Sequence, residues 1–303
     1  MKFDLPARPP FNFLSVVRSH GWFQLAPFHF DEQTNTLHYI MQLSSGRAVE
    51  LKLRESAKGV NVEAERLNSP EKKEVTNKVT WMFGLDMDFS AFYAATHAEP
   101  RLARAKKQSL GRLLRAPTLF EDVIKTILTT NTLWATTRNM SRNLVNEFGV
   151  ALSAGPNSFR PVIETENMKA FPAPEAIAAS NPDFIKEKIR VGYRAPALHQ
   201  LAVRVASGQF DLESLKTSNL PTLELRKELM QINGVGPYAA ANLLMILGRH
   251  DFIPIDSSAL SAVSNEWYHG KLITARQVEK RFERWGEFKG LAFWFWDWKH
   301  GGG

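Results

Sequence analysis

Nothing constrains the fold of this chain more than ten consecutive residues, Leu229-Met230-Gln231-Ile232-Asn233-Gly234-Val235-Gly236-Pro237-Tyr238. One amphipathic segment runs into two glycines separated by a single valine, and a proline opens the next. Glycine tolerates positive φ and lets another backbone approach closely. Proline suits a first helical position, where its missing N–H leaves no donor unsatisfied. The pattern predicts two helices joined by a tight hairpin over residues 221–248. The second helix would present free amides and the positive end of its dipole at the turn, a cradle for an anionic oxygen that reads backbone and not base sequence. A plain helical hairpin with a glycine cap fits the same residues, so the turn alone assigns no role.

The second constraint lies downstream. Ile253-Pro254-Ile255-Asp256 places one carboxylate at a predicted helix start, eighteen positions after Tyr238. Asp256 can be an ordinary N-cap. It can also be a reactive group, and the two roles are compatible because a capping carboxylate is held firmly.

Organisation along the chain is α+β. Residues up to about 77 read as β-rich, with strands expected over 37–43, 48–53 and 60–64, and the segment 13–26 as an earlier part of that sheet. From Val79 onward the pattern is helical. A short helix is expected over 89–95, and a long one opens at Pro117 with Phe120, Val123, Ile124 and Ile127 on one face. Thr129-Thr130-Asn131-Thr132 breaks it before a helix that stops at Gly149. Residues 153–161 read as a loop, four further helices are expected between 174 and 218, and an aromatic helix over 291–298 closes the fold. The domains are set at 1–80, an N-terminal antiparallel β-sheet domain, and 81–303, a mostly α-helical domain containing the hairpin. Gly301-Gly302-Gly303 reads as a tail.

Composition narrows the function classes. The 303 residues carry no cysteine, which excludes disulfides and thiolate-held zinc or iron–sulfur clusters. No apolar run is long enough for a membrane helix, and the N-terminus lacks a secretory apolar segment. The formal charge of +7 favours a polyanionic partner. Arg101, Arg104, Lys106, Lys107, Arg112 and Arg115 cluster in sequence, and Arg138 and Arg142 lie one helical turn apart; either group could meet phosphates.

Taken together, these residues resemble the helix-hairpin-helix DNA glycosylases, in the branch of alkylpurine glycosylase II and 8-oxoguanine glycosylase, which adds an N-terminal sheet domain. The resemblance extends over Phe83-Gly84-Leu85-Asp86-Met87-Asp88-Phe89, Leu114-Arg115-Ala116-Pro117-Thr118-Leu119-Phe120-Glu121, Ile127-Leu128-Thr129-Thr130-Asn131 and Gly192-Tyr193-Arg194-Ala195. It implies that Asp256 is the catalytic aspartate. It implies that Gly234, Val235 and Gly236 hold the DNA backbone. It implies a monovalent cation on the carbonyls of Met230, Ile232 and Val235, with no other cofactor. Asn131, beside Thr130, falls where relatives insert a side chain into the gap left by a flipped nucleotide. Position 238 carries tyrosine where strand-cleaving members carry the lysine that forms a Schiff base, so the implied enzyme is monofunctional.

Breaking the C1′–N bond builds positive charge on the sugar, which a nearby carboxylate stabilises while it orients water. An aromatic at position 238 favours a cationic alkylated purine by cation–π attraction. Asn242, one turn beyond Tyr238, and the aromatic residues Trp22, Trp296 and Trp298 are further candidates for the base pocket. The expected partner is duplex DNA with a damaged base, met by a monomer in the cytoplasm of a bacterium or the nucleus of a eukaryote. Enzymes for deaminated or oxidised bases, a lyase using another lysine, and a non-catalytic DNA-binding protein remain as alternatives.

Overall fold

The computed structural model describes residues 1–152 and 168–298; the expected loop at 153–161 and the glycine tail lie outside them. Strand β1 (Lys2–Pro6) is followed by helix α1 (Phe13–Val17), a 3-10 turn (Gly21–Gln24) and strands β2 (Phe28–Asp31), β3 (Thr36–Gln42), β4 (Ala48–Ser56) and β5 (Gly59–Ala64). Helices α2 (Ser69–Phe83), α3 (Ser90–Thr96), α4 (Arg104–Lys107), α5 (Leu119–Thr129) and α6 (Trp134–Phe148) come next. They are followed by α7 (Pro174–Ala178), α8 (Pro182–Ile189) and α9 (Ala195–Ala206), with a 3-10 turn (Gly192–Arg194) before α9. The remaining elements are a 3-10 turn (Glu213–Thr217) in place of the fourth helix expected before 218, α10 (Thr222–Met230), α11 (Pro237–Ile246), α12 (Ser257–Trp267), α13 (Ala275–Phe282), a 3-10 turn (Glu283–Phe288) and α14 (Lys289–Trp294). Backbone packing divides the chain into two compact units, each built from two stretches: Met1–Met87 with Arg112–Ser214, and Asp88–Gly111 with Leu215–Gly303.

In the first unit the strands form one antiparallel sheet in the order β1-β5-β4-β3-β2. The three expected strands are its centre. The segment 13–26 is not part of the sheet, as had been expected, but α1 and a 3-10 turn. Asn12 caps α1 by accepting the Ser15 amide at 2.8 Å. Phe13 is buried against Phe83, rings stacked at 5.4 Å.

The β-rich reading to residue 77 is also corrected. Asn68 and Glu71 form a capping box, each side chain bonded to the other's backbone amide, and start α2 at Ser69. Only Val75, Val79, Met82 and Phe83 give that helix an apolar buried side, which leaves a weak periodic signal.

Helix α5 is buried over Leu119–Leu128, including three charged residues. Lys125 Nζ and the Tyr39 hydroxyl each donate to Glu121 at 2.6 Å. The Trp22 indole N–H and the Ala116 amide donate to Asp122 Oδ1 at 2.7 and 2.9 Å. Burial depresses the Lys125 ammonium and lifts the Tyr39 phenol, the latter also raised by the Glu121 charge. Burial pushes the Asp122 carboxyl up to about 7. The same environment lowers His20 to about 3, through burial first and the Lys125 charge second.

The second unit holds the predicted hairpin, α10 and α11, and the helix behind Asp256, α12. Its core includes an aromatic cluster centred on Phe282, whose ring centroid lies 5.4 Å from those of Trp285, Phe293 and Trp296 and 5.7 Å from that of Trp267. The C-terminal helix α14 ends at Trp294, earlier than expected. Trp296 and Trp298 lie beyond it, so helical spacing does not govern which way they face.

Candidate functional site

Helix α10 ends at Met230, and two bonds carry the chain around the turn: Ile232 N–H to the Leu229 carbonyl at 3.2 Å and Val235 N–H to the Ile232 carbonyl at 3.0 Å. Gly234 sits at φ +87°, a conformation that L side chains resist. Val235 is buried and anchors the loop, while Gly234 and Gly236 are exposed. A Cβ added at Gly236 would meet nothing within 4 Å. Gly236 therefore faces open space and is not forced by packing. The first intrahelical bond of α11 runs from Ala240 to the Gly236 carbonyl, so the amides of Tyr238 and Ala239 have no acceptor inside the helix. The turn offers donors on one side and, at the end of α10, carbonyls on the other.

Asp256 is extended and caps α12, Oδ1 accepting the Ala259 amide at 2.8 Å. Among the described residues its other oxygen has no hydrogen-bond partner. The N-cap reading and the reactive reading thus coexist in one side chain. Tyr238 occupies the first turn of α11, largely buried. Its phenol is held above the ordinary value by burial first and by the Asp256 charge second, which places the two residues in electrostatic contact. Asn242 donates to the Tyr238 carbonyl at 3.1 Å. Tyr238 thus stands near both Asp256 and Asn242.

The aromatic candidates have packing contacts of their own. Trp22 belongs to the first unit, where its N–H is committed to Asp122 and its ring stacks on His20 at 4.5 Å. Trp296 and Trp298 pack in the Phe282 cluster. The basic cluster is also dispersed. Arg112 is buried on the carbonyls of Arg8, Pro10, Gly84 and Met87, and Arg115 is buried with its guanidinium 4.2 Å from the Trp81 ring centroid.

On the first unit, Asn131 is exposed at φ +47° immediately after Thr130, the C-cap of α5. Its amide nitrogen donates to the Tyr193 hydroxyl at 3.3 Å. The buried Arg194 guanidinium bonds the Thr130 carbonyl and the Asn131 carbonyl, which fixes the turn from below. Tyr193, 68 % exposed, and Leu133, 78 % exposed, project beside it. Tyr193 was not foreseen as a site residue. It lies 62 positions from its partner, and only its place in the Gly192-Tyr193-Arg194 motif hinted at it.

A comparison with protein-family models finds no match. A curated sequence, the DNA-3-methyladenine glycosylase of Bacillus subtilis, is 25% identical over 176 residues, 58% of this chain and 54% of the relative. The chain thus spans about half the length of the curated relative it matches. Among solved structures, the 3-methyladenine DNA glycosylase of Archaeoglobus fulgidus aligns over 97% of both chains with a TM-score of 0.72 at 20% identity. The 8-oxoguanine glycosylase/lyase of Clostridium acetobutylicum, solved with double-stranded DNA containing cytosine opposite 8-oxoguanine, aligns over 94% of this chain and 91% of its own with a TM-score of 0.69 at 17% identity. The fold is that of the 3-methyladenine and 8-oxoguanine DNA glycosylases.

Proposed function

We propose that this chain is a monofunctional DNA glycosylase that removes alkylated purines from duplex DNA. The observation that carries the reading is the Asp256 carboxylate, fixed at a helix start by one oxygen, its other oxygen without a hydrogen-bond partner among the described residues, and within reach of the Tyr238 phenol's field. An anion held in that way is costly to keep near DNA phosphates unless it acts, which disfavours a pure binding protein.

The chemistry follows from charge. As the C1′–N bond breaks, its electron pair leaves with the base and the sugar becomes an oxocarbenium ion. Asp256 stabilises that cation and orients a water whose oxygen adds to C1′. The proton lost by that water passes to the carboxylate or to solvent. A cationic alkylated purine departs as a neutral base, so no acid has to protonate it. The phenol face of Tyr238 favours the positively charged base over its undamaged counterpart by about 0.5–2 kcal/mol. With tyrosine at 238 no amine stands there to form a Schiff base, so the product is an abasic site in an uncut strand.

The hairpin takes a DNA phosphate on the free amides at the start of α11. The carbonyl of Met230 at the end of α10 and those of Ile232 and Val235 in the turn would hold a monovalent cation; the helix end carries negative charge, and the Ile232 carbonyl, which accepts the Val235 N–H, keeps a second lone pair. Such an ion would add positive field at the phosphate. Asn131 and Tyr193 supply a polar and an aromatic surface for the space that a flipped nucleotide vacates.

The test is base release from duplex oligonucleotides carrying alkylated purine, uracil, hypoxanthine or 8-oxoguanine, with alkali added to reveal abasic sites. Wild type is expected to release the alkylated purine, and Asp256→Asn to lose roughly 10²-fold or more in rate while still binding DNA. Release of another lesion reassigns the substrate. No release on any lesion, with binding intact, points to the non-catalytic reading. A covalent adduct trapped by borohydride overturns the monofunctional one.

A further inference from the structure

The second unit contains a cleft that this function leaves unused. It has a volume of about 490 Å³ and is lined by Glu99, Arg101, Glu266, Trp267, Lys280, Arg281, Arg284, Trp285 and Trp296. Helix α12 connects it to the candidate active site. Asp256 caps the start of the helix and Trp267 ends it, eleven residues on, a rise of about 16 Å. The cleft is therefore a separate place on the same unit.

Two features define its chemistry. The first is an unsatisfied donor. Trp296 is 5 % exposed, and its buried indole N–H has no acceptor among the described residues. A buried N–H left unpaired costs on the order of 1–3 kcal/mol, and Trp296 lines the cleft, so a ligand acceptor that reaches this donor gains that energy. The second is the ring of charge. Four cations face two carboxylates. Arg101 is held by Glu266 at 2.8 Å and by the Asp297 carbonyl at 2.9 Å, and Arg284 is paired with Glu99. Lys280 and Arg281 have no carboxylate partner among the described residues. Arg281 is instead pre-positioned, its Nε donating to the Tyr268 hydroxyl at 3.2 Å and its plane lying over the Tyr268 and Trp267 rings at 4.8 and 5.6 Å. That arrangement leaves the terminal nitrogens of its fork for an incoming acceptor.

We propose that this cleft binds a phosphate group, with the Trp296 N–H donating to one oxygen and Lys280 and Arg281 neutralising the others. A tetrahedral oxyanion has enough acceptors for an indole N–H, an ammonium and a guanidinium at once. Trp296 thereby serves phosphate recognition and not a base pocket. The phosphate can be free in solution or part of a DNA strand, and the two sources are separable.

The experiment is titration of the intact protein with inorganic phosphate at constant ionic strength, followed by calorimetry and by the indole N–H resonances of the eight tryptophans. Trp296→Phe identifies the Trp296 signal; if that variant does not fold, the calorimetric arm stands without it. Saturable binding is expected, with one indole N–H shifted. Lys280→Ala and Arg281→Ala, both exposed positions, should each weaken binding about tenfold or more, a loss of about 1.4 kcal/mol apiece. Asp256→Asn should leave it unchanged, which keeps the result independent of the glycosylase reading. A short oligothymidylate that displaces phosphate, and loses affinity in the same two variants, identifies the strand as the source. Failure to displace identifies free phosphate. The proposal is overturned if phosphate does not bind saturably, or if both variants bind it like wild type.

Discussion

Asp122 and His20 meet the same buried environment with opposite charge chemistry, and together they set a pH response that neither would show alone. Asp122 titrates near 3.8 unfolded and about 7 folded. Its stabilising contribution is therefore full below pH 3.8 and is lost as pH rises toward 7. His20 titrates near 6.5 unfolded and about 3 folded. Its contribution is full above pH 6.5 and is lost as pH falls toward 3. Between about pH 4 and 6.5 the two slopes oppose each other, each near 1.4 kcal/mol per pH unit at most. Asp122→Asn keeps an acceptor for the Trp22 and Ala116 N–H groups and removes one slope. The variant's stability relative to wild type, from denaturant unfolding, should fall as pH drops through that window. A constant difference would mean that Asp122 ionises normally in the fold. At this scale the sequence was partly legible. Asp256 and Tyr238 stand in or beside contiguous motifs, so their pairing could be inferred. The Trp22–Asp122 bond joins residues 100 positions apart, and nothing local announces it.

Among the elements, the hairpin separates two uses of glycine. Gly234 needs its positive φ, whereas Gly236 has an ordinary φ of −88° and open space around it. Gly234→Ala should lower stability by roughly 1 kcal/mol or more through backbone strain. Gly236→Val should leave stability within about 0.5 kcal/mol of wild type and weaken DNA binding, because its branches stand where a phosphate approaches. Thermal unfolding and DNA titration of the two variants check this, and equal loss of stability would count against it. The hairpin was readable because glycine, proline and apolar spacing all act within ten residues. Helix α2 was not, because its capping box carries the start signal while its apolar face is thin. The last helix misled for a different reason. Its aromatic residues continue past Trp294, but the chain stops being helical there, and Trp296 is placed by contacts with Phe282 and Trp285 and not by period.

Across the whole molecule, strands give way to helices between Ala64 and Ser69, and that change does not outline a packing unit. The sheet packs with residues 112–214, as the Tyr39–Glu121 and Ser141–Ala26 bonds illustrate. A fragment of residues 1–87 should therefore show no cooperative unfolding, since it lacks the helix that covers Tyr39 and Phe28. Cooperative melting of that fragment would show that the sheet stands alone. Sequence patterns report local periodicity, so they place strands and helices but not the partner each face will meet.

The two units exchange the chain three times, after residues 87, 111 and 214. On a ribosome this interleaving imposes a schedule. The strands emerge first and must wait, edges bare, until residue 214 has left the exit tunnel before their unit can close. Residues 88–111 emerge in the middle of that wait and stay unanchored still longer, until the last third of the chain arrives. A chain laid out in this way has its most vulnerable period during its own synthesis, and that is when a holding chaperone would matter most to it.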